Sequence, residues 1–372
     1  MNNRIILFSL ALWLLIPVNF FSQEFKAVHD GVEYAEVTKE ISGKAVQMNL
    51  LRLDLSKVRL DVVHAMDAAI GVEKTSSIAA RHGAIAAINA GFFRLDNSLY
   101  AGDAAGVLMI DGKLYSEPEK DRIALSITNT PGKSEVQIGY ANAFTFGFGW
   151  KIKGEKLSRW FSGINRERKK DELIIYTPEF HRTTLTGQGG LEVTVQNNRV
   201  TRIANEGNNV IPQNGFVLSA DGWPVEDVKK SLRLGMEVKA SFGILLVRSL
   251  DAEDVVAGVP QLIKNGKIDI TWEKEKSSKS FVETRHPRTA VAMLRDGKFL
   301  MITADGRSDV SGGLGLQDLA EYLLSLGAVD AMNLDGGGST TMFLDGNVVN
   351  KPSDKEGERK VSDALLVTPR KR

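Results

Sequence analysis

Short apolar runs, broken at intervals by Asp-Gly and Asn-Gly pairs, set the texture of the chain. Asp111-Gly112 separates GVLMI from KLY, and Asn265-Gly266 follows PQLIK. Asp296-Gly297 separates AVAML from KFLMI, Asp345-Gly346 separates TMFL from NVV, and Asn197-Asn198 splits LEVTV from RVTRI. Such pairs fit the type I′ turn of a two-residue hairpin, whose central residues need positive φ. The pattern predicts a protein rich in antiparallel sheet.

Helical periodicity is confined to a few places. GLQDLAEYLLSLG puts Leu316, Leu319, Ala320, Leu323 and Leu324 at i, i+3, i+4, i+7 and i+8, one apolar stripe that ends at Gly327. Asp318 sits near its positive end. TSSIAARHG predicts a shorter helix, capped by Thr75 or Ser76 and stopped at Gly83. AIAAIN reads as a buried strand ending at Asn89, and AVDAMNL as another ending at Asp335. Residues 130–255 differ, with charged stretches such as RERKKDE and many turn residues, and are expected to form an embedded β-rich elaboration. EKEKSSKS, residues 273–280, reads as a solvated loop. The expected fold class is α+β: mixed or antiparallel β-sheets with a few packed helices, in one domain over residues 23–372.

The first residues stand apart. Arg4 precedes an apolar run from Ile5 to Ile16, followed by Pro17. A basic start and an apolar stretch of about a dozen residues are the marks of a secretory signal, and are too short for a membrane span of about 20. Residues 1–22 are read as a signal peptide cleaved near Ser22, which implies a periplasmic or secreted protein with no membrane anchor after cleavage.

Composition narrows the chemistry. The chain has 372 residues, 47 basic against 46 acidic, and no cysteine. A net charge of +1 gives no electrostatic case for nucleic acid. Thiol catalysis and cysteine zinc sites are excluded. The five histidines lack the i,i+4 spacing of a helical zinc site.

Candidate chemistry gathers in the last third. NLDGGGSTT follows a strand; Gly336, Gly337 and Gly338 let the backbone approach a ligand and expose its N–H groups. Asn333 and Asp335 stand at the strand end, and Ser339 and Thr340 add hydroxyls. The loop lacks the Walker lysine and the second glycine of a nucleophile elbow. INAGFF places Asn89 beside Phe92, a polar group next to a sugar-stacking ring. RHPRTAVAML brings His286, Arg288 and Thr289, and arginine binds phosphate with a planar fork. ITADGRSD offers Asp305 and Arg307. The irregular segment before the last strand carries Asp354, Glu358 and Arg359 and could close over a cleft. Each stretch alone also reads as an ordinary turn, core or surface segment.

Taken together, HPRTAVAML…GKFLMITADGR, GLGLQDLAEYLLSLGAVDAMNLDGGGSTTMFLDGNVVNKPSD…GERKVSDALLV and AINAGFF resemble the phosphodiester glycosidase domain family, over about residues 80–115 and 255–368, as a bacterial member. Its animal member is the mannose-6-phosphate uncovering enzyme, which relies on disulfides absent here. The resemblance implies hydrolysis of a sugar C1–O bond whose leaving group is a phosphate ester. A phosphate ester leaves readily, so stabilising charge matters more than protonating the leaving group. Arg288, with Arg307 or Arg359, is then expected to hold the phosphate. Asp305 and Asp335 are expected to stabilise the oxocarbenium-like sugar and to attack C1 or activate water, their division of roles being open. His286 and Glu358 are further acid or base candidates. Asn89, Thr289, Asn333, Ser339 and Thr340 are expected to bind the sugar or phosphate, with Phe92 stacking and the three glycines donating N–H. No obligatory cofactor is expected, although hard oxygen ligands leave a structural Ca²⁺ or Mg²⁺ open. The expected partner is a small-molecule or glycan phosphodiester. A non-catalytic binding protein on the same fold, and a phosphodiesterase acting at phosphorus, remain alternatives.

Overall fold

Strict alternation along the central strands gives them two apolar faces, and that dictates the layering. The computed structural model describes residues 25–152, 155–246 and 252–370; the expected export signal, residues 1–22, lies outside the described residues. In Phe299–Ala304, Phe299 and Met301 join one core while Leu300, Ile302 and Ala304 join another. Lys44–Leu53 repeats this, with Leu51 and Leu53 on one side and Val46, Met48 and Leu50 on the other. A sheet built from such strands must be covered on both faces.

That sheet has eight strands, in the order Lys26–His29, Val32–Ile41, Lys44–Leu53, Phe299–Ala304, Arg288–Leu294, Ala328–Asn333, Gln261–Lys264 and Lys267–Ile268. Its pairs are antiparallel throughout. On one face lies the helix Leu316–Ser325, burying Leu316, Leu319, Ala320 and Leu323. On the other lies a five-stranded antiparallel sheet, ordered Asn347–Val348, Met342–Leu344, Ala86–Asn89, Asp363–Pro369 and Val58–His64. Leu60, Val62, Ile88, Leu365 and Val367 of this second sheet meet Leu51, Met301 and Val291 of the first. Its outer face, through Ala87, Ala364 and Leu366, carries the helix Thr75–Arg81. The layers run helix, sheet, sheet, helix, an α+β arrangement.

Residues between these elements build further β-structure. A seven-stranded sheet includes Leu108–Ile110, Ile123–Asn129 and Ser134–Ile152; a five-stranded one includes Leu173–Tyr176, Leu191–Gln196 and Gly215–Ala220. In the latter, Gly163–Ile164 pairs in parallel with Leu173–Tyr176, so this sheet is mixed. The two share a core containing Phe148, Trp150, Val193, Leu218 and Val255.

Several local expectations need correction. The pairs at 111–112, 197–198, 265–266 and 345–346 have positive φ at both residues, as a type I′ turn requires. At Asp296-Gly297 only Gly297 (φ 83°) does, and Gly297 N donates to Leu294 O across a longer loop. The strand predicted to end at Asp335 ends at Asn333. Neither Thr75 nor Ser76 caps its helix: Lys74 holds the cap position without a side-chain bond. The acceptor comes from far away, since Glu358 takes hydrogen bonds from Ser76 N at 2.7 Å and Ser76 Oγ at 2.5 Å. The 273–280 stretch is not simply solvated either. Glu275 is 1% exposed and accepts bonds from Gln261 N, Ile123 N and Thr271 Oγ1.

Leu365 is fully buried where the two sheets meet. Leu365→Ala is expected to cost about 2–5 kcal/mol through lost burial and a residual cavity. The check is a lower urea midpoint with an unchanged slope; an unchanged midpoint would mean the two sheets do not pack as described.

Candidate functional site

Strand ends from both sheets meet around one buried carboxamide. Asn89, the last residue of its strand, is 0% exposed. Its Nδ2 donates to Asp335 O at 2.6 Å, and its Oδ1 accepts from Thr289 Oγ1 at 2.8 Å and from Thr341 N at 3.1 Å. One side chain thus ties the second sheet to the strand Arg288–Leu294 and to both limbs of the glycine loop. Asn89 and Thr289 were expected to bind the sugar or phosphate. Fully buried and bonded to each other, they position the site instead.

The loop itself is defined by what its glycines admit. A Cβ at Gly336 would lie 2.8 Å from the Pro287 carbonyl oxygen. One at Gly338 would overlap the Arg359 guanidinium and the Asp354 carboxylate. Gly337 takes φ 61° and faces Arg307 Nη2. The loop amides are less free than expected: Gly336 N donates to Asp335 Oδ1 at 2.9 Å, Gly337 N to Pro287 O, Ser339 N to Gly336 O and Thr340 N to Gly337 O. The glycines therefore serve close packing rather than an open anion cradle.

Asp335 begins this loop. Burial pushes its carboxyl up to about 7, helped by the charge of Asp363 and opposed by Arg359 and the Gly336 amide. The Ser339 hydroxyl is near enough to favour the charged form, although its geometry falls short of a hydrogen bond. Asp305, only 4% exposed, is also raised by burial. Both its oxygens are engaged, Oδ1 by Asn350 Nδ2 at 3.1 Å and Oδ2 by Lys351 N at 3.0 Å, so it anchors the segment that follows the loop hairpin.

The arginines divide sharply. Arg288 is 1% exposed. Its Nε donates to Leu314 O at 3.0 Å, its Nη2 to Phe281 O at 2.7 Å and Thr284 O at 2.9 Å, and its guanidinium lies over the Phe281 ring. Neither side of the fork is left for a bidentate phosphate contact, which corrects the clamp expected there. Burial and the nearby Arg307 push Arg288 down to about 10. Arg307 is exposed, and no carboxylate lies within ion-pair distance of it among the described residues; it reaches His286 Nδ1 at 3.4 Å and Ser353 Oγ at 3.5 Å. Because arginine only donates, His286 Nδ1 accepts and its proton sits on Nε2. Burial, Arg288 and Arg307 all lower the His286 pKa, so the ring is neutral at pH 7. Arg359 is paired with Asp354 at 2.7 and 3.0 Å, and the pair packs on Gly338. Glu358 faces the other way, onto its helix terminus, and is not placed as an acid.

Asn333 is fully buried, its Nδ2 engaged by Val259 O and Leu334 O. Its Oδ1 and the hydroxyls of Ser339, Thr340 and Thr341 have no hydrogen-bond partner among the described residues. Buried polar atoms left unpaired cost about 1–3 kcal/mol each, so these are places where ordered water or a ligand would bind. Phe92 is half-buried and meets Phe281 edge-on, ring centres 6.0 Å apart. Among the described residues no group of three or more His, Asp or Glu is arranged to hold a metal ion. Four hollows of about 380 to 550 Å³ elsewhere on the described surface include none of these residues.

Sequence reasoning passed over Asn350, Phe281, Asp363 and His64 as site-shaping residues. The last two carried a signal: Asp363 alternates with Leu365 and Val367, and His64 with Leu60 and Val62, so each is a titratable residue at a core position of a strand.

Comparison with known proteins bears on what this arrangement is. A family model described as phosphodiester glycosidase matches residues 189–368. An uncharacterized protein of Rickettsia conorii is 31% identical over 236 residues, covering 61% of this chain and 77% of that one. The N-acetylglucosamine-1-phosphodiester alpha-N-acetylglucosaminidase of Mus musculus is 40% identical over 110 residues, 27% of this chain and 21% of the mouse protein. The chain therefore matches about a fifth of that enzyme's length. A hypothetical protein from Synechocystis shares the fold, with TM-score 0.77 at 22% identity over 92% of this chain and 62% of its own.

The two central arginines should respond oppositely to removal. Arg288→Ala removes a side-chain donor from three main-chain carbonyls, of which Leu314 O keeps His286 N, and should lower the melting temperature by several degrees or more. Arg307→Ala should leave it within about one degree, as expected for an exposed side chain without an ion pair. Differential scanning calorimetry of both variants checks this, and equal melting temperatures would refute the division.

Proposed function

Because the chain belongs to the phosphodiester glycosidase family, we propose that it hydrolyses a sugar-1-phosphodiester, breaking the glycosidic C1–O bond and releasing a phosphate monoester. The observation that carries this proposal is a raised carboxyl and an arginine without a carboxylate partner among the described residues, both at one glycine loop. Asp335 is pushed up to about 7 at the foot of the glycine loop, and the exposed Arg307 guanidinium lies beside Gly337 of that loop. A carboxyl poised near neutrality suits proton transfer or attack at C1. An arginine without a carboxylate partner suits a phosphate oxygen.

In this scheme deprotonated Asp335 either attacks C1, forming a glycosyl ester that water then hydrolyses, or takes a proton from the attacking water. The C1–O electron pair leaves on the phosphate, whose charge Arg307 receives. Neutral His286, with its proton on Nε2, would donate a hydrogen bond to the same group. Arg359 and Asp354 hold the 351–359 segment on the loop, and Asp305 fixes that segment's start. The unpaired hydroxyls of Ser339 and Thr340 are candidates for water-mediated contact with sugar or phosphate. We further propose that the reaction needs no obligatory metal, to be checked by retained turnover after dialysis against chelator. Export through residues 1–22 to the periplasm or medium is proposed from the sequence pattern, and would show as a mature N-terminus near Gln23.

Purified protein screened against a panel of sugar-1-phosphodiesters should turn at least one over. Asp335→Asn should lower kcat about 10²- to 10⁴-fold, and Arg307→Ala kcat/KM about 10²- to 10³-fold, both with the fold intact. Turnover in ¹⁸O-water should place the label in the sugar; label in the phosphate would establish attack at phosphorus, and binding without turnover a non-catalytic protein.

The acidic limb of the rate profile should lie near pH 7, since Asp335 must lose its proton to act. Stability should run the opposite way. The folded pKa lies above the unfolded value of about 3.9, so the folded state holds the extra proton between roughly pH 4 and 7. Its stabilising contribution is complete below that window and lost as pH rises through it. Asp335→Asn should therefore raise the melting temperature more at pH 8 than at pH 5.

A further inference from the structure

Away from the glycine loop, one sheet face is built in a way that packing does not explain. Ser134–Ile152 runs there between Glu155–Trp160 and Val238–Leu246. Alternation gives these strands two faces. On one, Phe148 and Trp150 are stacked and buried, and Val238 joins the same core. On the other, Gly147 and Gly149 run down the middle. Trp160 and Ser158 stand opposite them on one side, Ser241 and Lys239 on the other, all four exposed. Lys151 continues the row, directly opposite Lys156. These residues surround a hollow of about 550 Å³, with Glu237 at its edge.

Two features of this hollow cost stability. Like charges directly opposite each other across strands repel. Neither Lys151 nor Lys156 has a carboxylate within ion-pair distance among the described residues, and Glu237 is taken by Lys239 at 3.1 Å. The second feature is Gly149, since a glycine inside a strand weakens it. Gly147 has a packing reason: a Cβ there would lie 2.5 Å from Arg159 O. Gly149 has none. A Cβ there would meet only Leu157 O, at an ordinary contact distance of 3.4 Å, and its φ is not positive. What the missing side chain leaves is a floor on which a ligand can lie against the backbone.

The walls select the occupant. Unpaired ammonium groups attract an anion. Trp160, 70% exposed, offers a flat apolar surface for a sugar ring. Trp160 and Lys156 are four residues apart on one strand, about 14 Å, which is longer than a single sugar. The aromatic and cationic positions are therefore separate along the trough. That arrangement fits a chain whose charges lie between its rings, as in a phosphate-linked glycan, rather than on them, as in a polyuronate. We propose that this face binds a polymer of sugar-1-phosphate repeats, and that such a polymer is the substrate, held here while a diester bond is cut at the glycine loop. The second half rests on the hydrolysis proposed above; the first does not.

The test is isothermal titration calorimetry with an oligomer of N-acetylglucosamine-1-phosphate repeats. The host is the full chain carrying Asp335→Asn, so that the probe is not consumed. The oligomer should bind, and salt should weaken it. A neutral N-acetylglucosamine oligomer, polyphosphate and polygalacturonate should each bind at least about tenfold more weakly. Removing exposed side chains, by Lys151→Ala with Lys156→Ala or by Trp160→Ala, should cost about tenfold in affinity. Gly149→Thr should cost as much while leaving the melting temperature unchanged or raised, a combination that a purely structural glycine would not give. No binding, equal binding of any of the three control polymers, or full affinity in these variants overturns the proposal. Trough binding in a protein that hydrolyses neither the oligomer nor any monomeric diester would keep the glycan-binding face and defeat the catalytic reading. Hydrolysis of monomeric diesters without trough binding would do the reverse, and hydrolysis of monomeric diesters but not of the bound oligomer would overturn the polymer as substrate.

Discussion

The Asn89 carboxamide is the contact on which the site depends. It ends a strand of the second sheet, yet its three hydrogen bonds reach the central sheet through Thr289 and the glycine loop through Thr341 and Asp335. In a dry interior each such bond is strong, and an unmatched partner is expensive, so the network has one register. The loop's position relative to both sheets follows from it.

Close approach does the rest. Three successive glycines let three different neighbours press on one short turn: the Pro287 carbonyl, the Arg307 guanidinium, and the Arg359–Asp354 pair. Side chains there would push these groups apart and dissolve the constellation. The loop's amides are mostly engaged within the protein. Similar residues are sorted by environment. Arg288 and Arg307 have the same chemistry, but one holds carbonyls in the interior and the other faces solvent. Asp305 and Asp335 are both raised by burial, yet Asp305 has two donors fixing a loop, whereas Asp335 has one main-chain donor and a carboxylate neighbour.

The site is also electrostatically layered. Behind Asp335 lies Asp363, and behind Asp363 lies His64, two residues inside a sheet that otherwise packs leucine and valine. Such a buried row of ionisable groups persists only when every member is bonded or neutral. Its cost in stability is consistent with a functional region rather than with a core built for packing alone.

Much of this was legible in the sequence. Four Asx-containing hairpins were fixed by local chemistry, because Asn, Asp and Gly tolerate positive φ at little steric expense. The helix Leu316–Ser325 followed from its stripe, and the gathering of Asp335, Arg307, His286 and Arg359 followed from motifs that share strand ends. What no local pattern could supply was the direction each side chain takes after folding. Glu358 caps a helix 282 positions away, Arg288 turns inward to three carbonyls, and Asn89 joins two sheets. Those roles depend on partners distant in the chain, whose positions are set by which apolar faces bury against each other. Alternation and turn chemistry are properties of neighbouring residues and can be read in order; burial, pairing and charge state are properties of the assembled layers, and only the tertiary structure decided them.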